Sequence, residues 1–275
     1  MTTTRRAFVG ALGTVAAAPA VSAQNAAPAE GIKLGVASYS LRMFQRALAI
    51  HTIQKLGIQY VTIKEFHLPY RSTQRELASG AAEFRRAGIE ILGGGVVYMT
   101  RDDDADIRSY FEYAKNSGMP MMMIGATHAA LPRIQNFVKE YNIPVAVHNH
   151  GPEDKEFPTP EVALEALKGM DPRMGICIDA GHTCRAGGDP VASIRNAGAR
   201  LFDFHIKDLK NLKDEKSQVP VGDGAMPVVE IFKELKKSNY QRCVHLEYEI
   251  DADDPYPGMM KSFAYMRGVL AGLRG

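Results

Sequence analysis

From Lys33 onward, short apolar runs alternate with longer stretches whose apolar positions recur at helical spacing. KLGVASY (33–39), YVTIKEF (60–66), IEILGGGV (89–96) and MMMIGA (121–126) predict the first four strands. PVAVHNH (144–150), MGICIDA (174–180), LFDFHIK (201–207) and CVHLEYE (243–249) predict four more. Helical patterns follow at 43–56, 74–87, 104–116, 131–141, from about 159, and at 190–197, 228–238 and 257–273. Gly88 and Gly118 are helix stops, and Pro160 suits a first helical turn. Eight strands, each followed by a helix, predict parallel pairing throughout. Residues 32–275 then match the count and length of an α/β fold closed as a single-domain (β/α)8 TIM barrel. A doubly wound open sheet is the competing architecture. It would carry a glycine-rich phosphate turn after its first strand, and VASYSLR has none.

A barrel of this kind places its chemistry at the C-terminal ends of the strands. The last four strands carry ligand-type residues there: His148 and His150, Asp179 followed by His182, His205 and Lys207, then His245, Glu247 and Glu249. Alternation puts His148 with His150, Asp179 with Cys177, His205 with Lys207, and Glu247 with His245 on shared faces. Imidazole and carboxylate groups aimed into the mouth from four adjacent strands suit a divalent metal. His51, His67 and His128 are scattered singly and read as structural. The methionines at 119 and 121–123 read as a core strand.

The sequence has 33 Lys+Arg against 31 Asp+Glu, 3 Cys and no Trp. MTTTRRAFVGALGTVAAAPAVSAQ places paired arginines, Arg5 and Arg6, before a mildly apolar stretch and a small-residue Val21-Ser22-Ala23 cleavage pattern. Residues 1–23 therefore read as a twin-arginine signal and 24–31 as a linker, which predicts a periplasmic or exported protein. Removing that signal leaves 31 positive and 31 negative residues. A neutral chain has no phosphate-tracking surface, so no nucleic acid partner is expected. No apolar run reaches the roughly 20 residues of a bilayer span, so no membrane contact is expected after signal removal. Cys177, Cys184 and Cys243 lack C-x-x-C spacing and read as small core residues.

VAVHNHG, CIDAGHT, DFHIKD and VHLEYE, in that order, resemble the sugar isomerase/epimerase branch of the xylose-isomerase-like barrel superfamily. The more specific part is I-D-x-G-H followed by H-x-K-D, with Asp179 and His205 26 positions apart. The resemblance implies one divalent metal held by His148, Asp179, His205 and Glu247, with His182 contacting substrate oxygens. It also implies a small sugar substrate and a homo-oligomer. The departure is at strand five, where such epimerases carry a glutamate and this chain carries His148. With two nitrogen and two oxygen donors, Mn²⁺, Co²⁺ or Zn²⁺ is expected over Mg²⁺. A coordinated His148 is unavailable as a base, which leaves Glu247, His150 or Lys207 for proton transfer. The expected reaction is proton abstraction beside a carbonyl of an unphosphorylated sugar or keto-sugar, giving isomerisation or epimerisation. A 3-keto-glycoside lyase on the same metal is the alternative, and a non-catalytic sugar-binding barrel is a third. A DNA-repair endonuclease of the same superfamily is opposed by the neutral charge.

Overall fold

A computed structural model describes residues 31–274. The proposed signal at 1–23 lies outside the described residues, as does all of the proposed linker except Gly31. Eight parallel strands close a barrel: β1 (Lys33–Ala37), β2 (Tyr60–Ile63), β3 (Glu90–Met99), β4 (Met122–Ala126), β5 (Val145–His148), β6 (Met174–Asp179), β7 (Leu201–Ile206) and β10 (Cys243–Leu246). Neighbours follow chain order, and β1 pairs with both β2 and β10 to close the ring. Two short strands, β8 (Asp208–Leu209) and β9 (Gln218–Val219), form an antiparallel ribbon above β7.

The helices lie close to their sequence predictions: α1 (Arg46–Lys55), α2 (Gln74–Arg86), α3 (Asp104–Ser117), α4 (Leu131–Tyr141), α5 (Pro160–Ala166), α7 (Pro190–Ala197), α8 (Val228–Lys237) and α9 (Tyr256–Gly272). Helix α2 begins on a capping box, with Thr73 and Glu76 each satisfying the other's backbone N–H. Gly118 ends α3 in the left-handed conformation that glycine adopts freely. The additional helix is α6 (Ala180–Arg185), a short turn straight after β6. The core fills the space between strands and helices, and Val36, Val61, Ile124, Val147, Ile178, Phe204 and Leu246 are fully buried there. Cys177, Cys184 and Cys243 are free and buried, and Met119 and Met121–Met123 are core residues.

At the C-terminal end, serines tie β1 to its neighbours. Ser38 Oγ accepts from Lys64 N at 2.8 Å, while Ser40 Oγ donates to Leu246 O at 3.2 Å and accepts from Tyr248 N at 2.8 Å. Every strand but β3 is shorter than its apolar run suggested. His150, Lys207 and Glu247 therefore stand one or two residues beyond their strands, where the chain leaves the ladder for its crossover. Glu247 keeps one ladder-like bond, its N–H donating to Ile206 O at 3.0 Å.

Candidate metal centre and active site

The four strand ends meet at one point. His148 Nε2 lies 3.2 Å from His205 Nδ1 and 3.7 Å from Asp179 Oδ2, and His205 Nδ1 lies 3.4 Å from Glu247 Oε2. One donor atom from each of the four falls within 4.8 Å of every other. All four residues are buried. Register explains the meeting, because His148 is level with Cys177 on β6 and Asp179 is level with His205 on β7.

Asp179 is oriented by its local sequence. Its Oδ1 caps α6 by accepting from His182 N at 2.8 Å, which leaves Oδ2 facing the other donors with no hydrogen bond. Asn149 locks the backbone beneath, its Oδ1 accepting from Asp179 N at 2.9 Å and its Nδ2 donating to Asp179 O at 3.3 Å. Gly181 has a steric reason for its place. A Cβ there would lie 2.5 Å from Lys207 Cγ, in the path of a side chain pinned at its far end. Glu247 and Glu249 are held by Gln218 of β9, whose amide donates to Glu247 O at 2.9 Å and accepts from Glu249 N at 3.0 Å.

Lys207 Nζ lies 3.2 Å from Asp179 Oδ2, 3.1 Å from Glu247 Oε2 and 2.6 Å from Glu249 Oε1. Burial alone would lower its pKa, but these three carboxylates carry it well above the ordinary value. Lys207 is thus a protonated counter-ion, which argues against the base role considered for it from sequence. Burial pushes the His148 pKa well below its ordinary value, helped by His150 and His205, so its imidazole is neutral as a ligand must be. Burial lowers His205 too, yet Cys177, Glu247 and Asp203 around it carry its pKa well above the ordinary value. Glu247 remains ionised because Lys207 and His205 overcome its burial.

These features fit a metal. Donors about 2.1 Å from a tetrahedral ion stand about 3.4 Å from each other, which brackets the three separations above. Asp179 Oδ2, buried and without a hydrogen bond though ion-paired with Lys207 Nζ at 3.2 Å, faces the same point. The positive charge that the site favours on His205 is one that a bound cation would replace.

Above this floor opens a pocket with about 420 Å³ of empty space. It is lined by His148, His150, His182, Glu247 and Glu249 from the later strands and by Tyr39, Lys64, Val96 and Tyr98 from the first three. His150 is bracketed, with Nε2 3.2 Å from the Tyr98 hydroxyl and Nδ1 3.4 Å from Asp154 Oδ2. The Tyr98 ring stacks on His150 with centroids 5.6 Å apart. His182 Nδ1 accepts from Arg185 at 3.0 Å, and burial with Lys207 pushes its pKa down to about 3. Lys64 Nζ donates to Val96 O at 3.0 Å and lies 5.0 Å from the Tyr98 ring centre. Tyr39, Lys64, Tyr98 and Asp154 were not anticipated from sequence. The first three lie on or just after β1–β3, where no cluster of ligand types draws attention.

The sequence profile of the xylose isomerase-like TIM barrel family matches residues 50–269. An inosose dehydratase of Clostridium beijerinckii is 29% identical over 110 residues, or 34% of this chain and 37% of that protein. The chain spans 31–40% of the length of the curated relatives it matches. Among solved structures, IolI protein with a binding zinc atom aligns with a TM-score of 0.73 at 18% identity, covering 88% of this chain and 99% of that one. A D-tagatose 3-epimerase-like protein aligns with a TM-score of 0.70 at 18% identity, covering 88% and 98%. Both structures establish likeness of fold.

Proposed function

The chain belongs to the xylose isomerase-like TIM barrel family, and from that premise we propose that it is a metal-dependent sugar isomerase/epimerase. It would move a proton beside the carbonyl of an unphosphorylated sugar or keto-sugar. The observation that carries this reading is that Glu247 and His150 both line one pocket, at four converged donor residues. His148, Asp179, His205 and Glu247 would hold the ion. A divalent ion there supplies Lewis-acid polarisation of the carbonyl, which acidifies the adjacent C–H. Two imidazoles and two carboxylates favour Mn²⁺, Co²⁺ or Zn²⁺.

Glu247 is the first choice of base, because it is ionised, buried and on the pocket wall. His150 is the second proton group, held at its two nitrogens by Tyr98 and Asp154. The Asp154 carboxyl is raised by burial but brought below its usual range overall by hydrogen bonds from His150, Glu156 N and Phe157 N, so it stays an acceptor for His150. His182, neutral and facing the pocket, suits contact with sugar hydroxyls. Proton removal by one group and return by the other gives the isomerised or epimerised product, whose mass is unchanged.

A second reading, a lyase on 3-keto-glycosides, is favoured by the asymmetry of the site. Its two proton groups are a carboxylate and a Tyr–His–Asp set, and the latter suits protonation of a leaving oxygen. The inosose dehydratase likeness points the same way. Incubation with a panel of ketoses and 3-keto-glycosides separates the two. A product of unchanged mass supports the first reading, and a released aglycone overturns it for the second.

We also infer export through the twin-arginine signal at residues 1–23. Changing Arg5 and Arg6 together to Lys is expected to leave the uncleaved protein in the cytoplasm, as cell fractionation would show. Unimpaired secretion would remove this assignment.

A further inference from the structure

A second polar layer lies beneath the four donors, inside the barrel and outside the pocket. Asp203 sits two residues before His205 on β7, so its side chain enters the barrel one level lower. Its Oδ1 accepts a hydrogen bond from His245 Nδ1 at 2.8 Å. Its Oδ2 lies 3.4 Å from His205 Nε2, within ion-pair reach but outside hydrogen-bond geometry, and accepts from Cys177 Sγ at 3.7 Å. Asp203, His205 and His245 are at most 2% exposed. Room for the His245 ring is made on the adjacent strand β1 at Gly35, its register partner, where a Cβ would lie 2.5 Å from His245 Cδ2.

A buried carboxylate among imidazoles is unfavourable unless its charge is used by its neighbours. Here it stands at the one ring nitrogen of His205 that faces away from the other donors. We propose that Asp203, steadied by His245, is a positioning residue for the metal centre, taking the Nε2–H of His205 so that the Nδ1 lone pair faces His148, Glu247 and the ion. This inference rests on the metal reading given above. Without the carboxylate, His205 is free to carry its proton on Nδ1, the tautomer that cannot ligate, and its ring loses basicity.

The test uses the full-length protein stripped of metal. Zn²⁺ affinity is measured by competition with a chromophoric chelator, and Co²⁺ loading is followed by visible absorption. Asp203→Asn keeps the shape but removes the charge, and it is expected to weaken Zn²⁺ binding about 10–100-fold and to alter the Co²⁺ spectrum. Cys243→Ser changes the same core layer, beside Gly35 and His245, and is expected to keep wild-type affinity and spectrum. Wild-type binding in Asp203→Asn overturns the positioning role alone, as does equal weakening in Cys243→Ser. Two ions per wild-type chain, one of them lost in Asp203→Asn, would make Asp203 a ligand and overturn it as well. A wild-type protein that takes up no ion overturns the metal centre and this inference together. Should Asp203→Asn fail to fold, His245→Gln carries the same test, with the same direction of change expected.

Discussion

Asp179→Asn is expected to give a folded protein that binds metal more than about 100-fold more weakly than wild type. The substitution is chosen because Asp179 has two separable tasks. Its Oδ1 caps α6 through His182 N, and an asparagine oxygen can continue to do so. Its Oδ2 is the buried oxygen without a hydrogen bond among the four donors, and an NH₂ group there has no lone pair for an ion. Loss of a residue that only orients a ligand costs about 10–100-fold in affinity, so loss of a ligand atom should cost more. Lys207 also loses one of its three carboxylates, leaving Glu247 and Glu249 to hold it. Metal analysis of the purified variant, alongside its thermal melting, checks the expectation. Wild-type stoichiometry at limiting metal would remove Asp179 from the ligand set.

His150→Gln is expected to lower turnover about 10²–10⁴-fold while leaving the metal bound. Its ring is bracketed by Tyr98 and Asp154 and lies in the pocket, yet it is outside the group of four converged donors. Glutamine can hydrogen-bond in its place, but it does not exchange protons near neutral pH. Steady-state kinetics with metal content measured on the same sample separates loss of chemistry from loss of the ion. Full activity would make His150 structural and leave Glu247 without a second proton group.

The barrel was legible because its order is written locally. Each apolar run is followed by a helical pattern, and residues such as Gly118 and Pro160 mark the boundaries. The converged donors were legible for the same reason: parallel strands in register carry their last inward residues to one level, as Asp179 and His205 are. Three features were not. Helix α6 is six residues long, too short for periodicity, and only the Asp179-x-x-His182 cap announces it. Lys64, Tyr39 and Tyr98 reach the pocket only because barrel closure brings β1–β3 opposite β5–β7, a relation between segments distant in sequence. The role of Lys207 depended on Glu249, whose position is set by Gln218 in a ribbon that the apolar pattern did not mark.

In the proposed function Glu247 removes a carbonyl-adjacent proton in a metal-dependent reaction. Its most direct test is solvent-hydrogen exchange in D₂O, read by NMR on ketose and 3-keto-glycoside substrates. Deuterium is expected at the carbon beside the carbonyl with the metal-loaded protein, and none with the metal-stripped protein or with Glu247→Gln. Turnover of any of these substrates without exchange at that carbon, or undiminished exchange after metal removal, would contradict it.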